Sequence, residues 1–143
     1  MRYILAGALL LAGAAGAVAA AQQQQARRAS MGLAALNQLE AGMWQLEVQG
    51  RPARTFCLSD PLDLVEIEHD QPNCSRFVIA DQPRSSTVQY SCQKAGWGRT
   101  TIRVDTPRVA TIRTQGISRN APFDYAVTAR RLGGCTQVAA KPR

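Results

Sequence analysis

Histidine is almost missing from this chain. His69 is the only one in 143 residues, and lysine occurs only at Lys94 and Lys141, so nearly all of the 17 basic residues are arginine. With one imidazole and no two cysteines close together, the ligand spacings of a zinc site or a thioredoxin-like pair are excluded, and no metal or cofactor is expected. A Gly-x-Ser-x-Gly elbow is absent, as is a phosphate-binding glycine loop. Catalysis normally needs a positioned base, and His69 is the one obvious candidate. It sits in an acidic run with Glu66, Glu68 and Asp70 that reads as an exposed polar loop, so no enzyme is expected. Those acids, even with Asp63, lack the ordered spacing of a calcium loop. Aromatic residues make up only 6 % of the chain, which limits the core it can build. No alternation of strand and helix patterns is present, which excludes a parallel sheet.

What is present begins with an apolar, small-residue run over residues 4–20 after Arg2, ending in Ala19-Ala20-Ala21 before four glutamines. This is the pattern of a secretory signal peptide over residues 1–21, too short and too rich in Gly and Ala for a stable membrane span. A polar lead-in over 22–30 follows, then a single domain over 31–135 and a tail over 136–143. Export, with the periplasm as the expected compartment, explains an even set of four cysteines, Cys57, Cys74, Cys92 and Cys135, as two disulfides. The formal charge of +7 suits anionic partners such as lipid headgroups or other polyanions. Nucleic acid is not expected of an exported chain with no reading motif.

Leu33, Leu36 and Leu39 share a helical face, predicting a short N-terminal helix with Ser30 as cap and Gly42 as stop. From Gly42 the period changes to two. Trp44, Leu46 and Val48 fall on one face of a first strand, and a turn at Gly50-Arg51-Pro52 returns a second over 53–59. A short helix is expected from Pro61 to Glu66, capped by Ser59 or Asp60. Further strands are predicted over 75–81, 86–93, 99–105, 108–115 and 123–132, separated by short turn-rich segments. The fold class is all-β: an antiparallel meander of about seven strands forming a small open or partly closed barrel. Ile102, Val104, Ala110, Ile112, Phe123, Tyr125 and Val127 are expected inside. So are Phe77 and Ile79, facing Val88 and Tyr90. Arg103, Arg113 and Arg130 would form an outer guanidinium stripe if their strands align. Trp97, in the turn-like Lys94-Ala95-Gly96-Trp97-Gly98, is expected to fold back over the barrel mouth.

A hairpin turning near Gln82–Ser85 brings Cys74 and Cys92 together. Alternation sends Cys74 to the wrong face unless a one-residue bulge, or a bend at Pro72-Asn73, intervenes. Pairs Cys74–Cys92 and Cys57–Cys135 are favoured among the three connectivities that four cysteines allow.

Several short motifs carry a resemblance: Gly42-Met43-Trp44, Phe56-Cys57-Leu58, Asn73-Cys74, the strand of Cys92, and Arg131-Leu132-Gly133-Gly134-Cys135. In order and spacing they resemble domain of unknown function family 3617, a family of exported bacterial proteins, over 42–135. The resemblance implies an envelope setting, disulfides and a small β-rich fold, with no catalytic residues to carry over. A weaker likeness is to lipocalins, in which a Gly-x-Trp opens the first strand and a late arginine packs over the tryptophan. That implies Arg130 or Arg131 over Trp44. The expected function is therefore a non-catalytic periplasmic module binding a small, lipidic or anionic ligand through Trp44, Arg103, Arg113 and Arg130. The alternative is an envelope protein acting through protein contacts.

Overall fold

Alternating apolar and polar residues produce seven strands in a computed structural model that describes residues 32–69 and 74–135. They are β1 (Gly42–Val48), β2 (Arg54–Leu58), β3 (Ser75–Gln82), β4 (Ser85–Cys92), β5 (Gly96–Thr106), β6 (Val109–Ser118) and β7 (Ala121–Gly133). The signal peptide, the lead-in, Ser30, Pro72-Asn73 and the C-terminal tail lie outside the described residues.

All pairings are antiparallel, and the strands form one sheet in the order β2-β1-β7-β6-β5-β4-β3. The meander from β3 to β7 is as expected. The β1–β2 hairpin attaches to its far side through β1 and β7. The sheet is not closed: β2 and β3 are its two edges. The segment between them covers the inner face instead, with Leu64 and Val65 fully buried.

Neither expected helix forms as such. Leu36–Gln38 is a single 3₁₀ turn, and Pro61–Leu64 is another. The leucine spacing was real, since Leu33, Leu36 and Leu39 are all buried. One turn suffices to seat them, and Gly42 opens β1 three residues after Leu39. At the second turn Asp60 is the cap, its carboxylate accepting from the Leu62 amide at 2.9 Å, with Pro61 starting the turn.

The inner face carries the core in rows fixed by strand register. Ile102, Ile112, Val127 and Val48 lie side by side across β5, β6, β7 and β1. Val104, Ala110, Ala129 and Leu46 form the next row. Trp44 is fully buried, its indole N–H donating to the Glu40 carbonyl at 2.9 Å. Each such large side chain taken from water contributes roughly 1.5–3 kcal/mol. A buried hydroxyl pair ties the Pro61–Leu64 turn to the sheet. Thr100 donates to the Val65 carbonyl at 2.7 Å, so Thr114 must donate in the 2.9 Å bond between the two threonines.

Both disulfides join the favoured partners: Cys57 to Cys135 and Cys74 to Cys92. Of the two expected ways to bring Cys74 to the face of Cys92, a one-residue bulge occurs, at Ile79, where the β3–β4 register shifts between Val78 and Ala80. It corrects the expected facing of β3. Arg76 and Val78 share the face of Tyr90 and Val88, while Phe77 stands opposite Gln89 on the outer face, 69 % exposed. Ile79, at the bulge, is also exposed. On an edge strand, alternation is not matched by burial, because no second layer covers it.

Candidate functional site

The sequence pointed to Trp44, Arg103, Arg113 and Arg130 for ligand binding, and the fold does not bring them together. Trp44 is sealed in the core. The three arginines are exposed on neighbouring strands but staggered: Arg103 lies opposite Thr111, Arg113 opposite Thr101 and Ala126, and Arg130 opposite Val109 and Gln45. Arg103 pairs with Asp105 at 3.0 Å and Arg113 with Asp124 at 3.7 Å, so no unbroken stripe results. Arg131, not Arg130, stands on the face of Trp44, directly across from it. Its guanidinium is committed to the Ala41 carbonyl at 2.8 Å and lies 3.7 Å from Glu40.

A different set of residues forms a cleft of about 260 Å³ where β1 and β7 meet the β1–β2 turn. Leu46, Val48, Ile67 and Val127 give it an apolar wall. Arg51, Arg54 and Arg119 face it beside a single carboxylate, Glu68. The Tyr125 hydroxyl donates to that carboxylate at 2.8 Å, and the Arg51 guanidinium lies 4.7 Å above the Tyr125 ring. Arg54 donates to the Ile67 carbonyl at 3.2 Å, which anchors the loop that supplies Ile67 and Glu68. Arg119 comes from the two-residue β6–β7 turn, where it and Asn120 both have positive φ. That conformation favours Gly, Asn and Asp, so an arginine there carries a backbone cost of about 1–2 kcal/mol. Burial raises the Tyr125 phenol well above its ordinary range, and the bond to Glu68 adds to the shift. Tyr125 therefore remains a hydrogen-bond donor at neutral pH.

Behind this wall lies the residue the sequence misplaced. His69 is not on an exposed loop: it is 4 % exposed and stands between Tyr90 and Phe123, with ring centroids at 5.3 and 5.8 Å in edge-on contact. The Ile117 carbonyl, 3.1 Å from Nε2, only accepts, so Nε2 carries the proton. Nδ1 then accepts from the Tyr90 hydroxyl at 2.9 Å. Burial raises the Tyr90 phenol as well, and the nearby charges of Glu66 and Glu68 add to the shift. Gly98 makes the room. A Cβ there would come within 2.5 Å of the Tyr90 ring, and Gly98 pairs with Gly116 in the same row as Tyr90 and Phe123. Two glycines inside strands are the signal that something approaches closely. Among the described residues no group of metal-ligating side chains gathers, and no buried side-chain polar atom lacks a partner.

Comparison with protein-family models, with curated proteins and with solved structures finds no match to this chain.

Proposed function

We propose that this is an exported, non-catalytic binding module, at home in the periplasm, whose cleft takes a small ligand with an apolar body and an anionic end. The observation that carries this reading is the cleft itself: an apolar wall beneath three guanidinium groups that face one carboxylate already engaged by Tyr125. Exposed arginines at the rim of such a cleft can recognise carboxylate or phosphate bidentately, while the apolar wall takes the ligand's body. A volume of about 260 Å³ corresponds to about nine water-sized units, enough for a short single chain but not for a two-chain lipid. Two disulfides fit maturation in an oxidising compartment.

Calorimetric titration with octanoate, and with octanol as the uncharged control, tests this. Octanoate is expected to bind more tightly than octanol, with Arg51→Ala and Arg119→Ala together lowering its affinity at least about tenfold. Arg103→Ala with Arg130→Ala should leave it unchanged. Equal binding of acid and alcohol, or no saturable binding by millimolar concentrations, would refute the reading.

A second reading, an envelope protein acting through protein contacts, rests on the edge strand β3. Phe77, Val78 and Ile79 are all exposed there, and the strand's outer backbone edge pairs with no other strand of the sheet. The bulge at Ile79 blunts that edge, which is why the cleft is preferred.

A further inference from the structure

The outer face near the β4–β5 and β6–β7 turns carries a second feature, which has only Arg119 in common with the cleft. Register places Trp97, Ile117 and Pro122 in one row across β5, β6 and β7, one residue in from the end of the sheet. Trp97 does not fold back over the sheet. It is a strand residue, 42 % exposed, and Pro122 beside this row is exposed as well. Basic residues surround the row. Arg99 follows Trp97 on the same face of β5, Lys94 occupies the β4–β5 turn, and Arg119 occupies the β6–β7 turn. The two turns lie together, with the Arg119 amide donating to the Ala95 carbonyl at 3.4 Å. The nearest carboxylate on this face, Asp124, is taken up by Arg113 at 3.7 Å.

Lys94 and Arg119 have φ of 61° and 51°. Both turns therefore hold a long basic side chain where Gly, Asn or Asp fits with less strain. Cations at the tips, with an amphipathic indole and two apolar neighbours between them, match the layers of a bilayer surface. Anionic headgroups meet the charges, and the ring lies at the headgroup boundary. We infer that this end of the sheet docks on an anionic lipid bilayer, with Trp97 entering the interface and Lys94, Arg99 and Arg119 contacting headgroups. The contact is peripheral: among the described residues no helix is long and apolar enough to span a membrane. It shares only Arg119 with the cleft, since neither Trp97, Lys94 nor Arg99 lines it, and its test therefore rests on those three.

The two tryptophans make the test readable. Trp44 is fully buried and will not respond, so a fluorescence change on binding reports Trp97. The chain beginning at Gln22 is mixed with vesicles of phosphatidylcholine alone, or with an equal part of phosphatidylglycerol, and sedimented. Binding with a blue shift is expected only on the anionic vesicles. Each basic contact near such a surface strengthens binding about fivefold, so Lys94→Glu with Arg99→Glu should weaken it at least about twentyfold. Trp97→Ala should weaken sedimentation too, whereas Arg103→Glu with Arg130→Glu, away from these turns, should retain most of it. The inference is overturned by equal binding to both vesicles, by no binding to either, or by an intact Trp97→Ala variant. Equal losses from the two charge-reversal pairs would also overturn it, since attraction would then follow net charge alone.

Discussion

The bond between His69 and Tyr90 gives the sharpest test of how this domain is held together. Tyr90→Phe removes the hydroxyl that donates at 2.9 Å to Nδ1 of a histidine only 4 % exposed. An unmade bond at a buried polar atom costs about 1–3 kcal/mol. His69→Leu strands two groups, the Tyr90 hydroxyl and the Ile117 carbonyl, and also loses two edge-on ring contacts. Each such contact is worth about 0.5–1.5 kcal/mol, so the total loss should reach roughly 3–9 kcal/mol. The double variant strands neither the Tyr90 hydroxyl nor Nδ1 of His69, so its cost should fall short of the sum of the two single variants by about 2–6 kcal/mol. Urea unfolding at neutral pH, with midpoints compared at a common slope, measures all three. Additivity within about 0.5 kcal/mol would mean that the two side chains do not interact, and the account of the buried histidine would fail.

Removing the disulfides should also be decisive. In the chain-entropy model, the bridges with sequence separations of 18 and 78 contribute about 3 and 4.5 kcal/mol, against a net stability of about 5–15 kcal/mol for a domain this size. Reductant should therefore unfold the protein or lower its melting temperature by tens of degrees, and a shift of a few degrees would contradict this. Alkali should destabilise it from a defined point. Both Tyr90 and Tyr125 have raised phenol pKa values, so above the ordinary value of 10.0 the unfolded chain releases protons that the folded chain keeps. Stability is then intact below pH 10 and falls as pH rises beyond it, with Tyr90 alone contributing a slope of up to about 1.4 kcal/mol per pH unit. A Tyr90→Phe variant whose stability falls as steeply as the parent's over that range would count against this assignment.

Local chemistry explains why so much of the fold is legible in the chain. Whether a residue faces in or out along a strand depends on its immediate neighbours, so the alternation at Trp44, Leu46 and Val48, or at Ile102 and Val104, sorts correctly without knowledge of the partner strand. The staple across the β3–β4 hairpin is equally local, and the mismatch at Cys74 called for a bulge or a bend, of which a bulge occurs at Ile79. The expectation for Phe77 fails because the bulge at Ile79 reverses the facing of the preceding residues and turns Phe77 to the outer face, where nothing covers it.

The sequence by itself thus determined the strands and their order along the β3–β7 meander, because each follows from contacts within one or two turns of chain, and it favoured the cysteine pairs without fixing them, since Cys57 and Cys135 lie 78 residues apart. Tertiary structure decided the rest. It left the sheet open, staggered Arg103, Arg113 and Arg130, and gathered Arg51, Arg54 and Arg119 around one cleft. It also drew His69 out of an acidic loop to lie beside Tyr90. Those outcomes depend on the exact register of the β5–β6 and β6–β7 hairpins, in which Gly98 meets Gly116, and on the pairing of β1 with β7 across most of the domain's length, which alternation along a single strand does not encode.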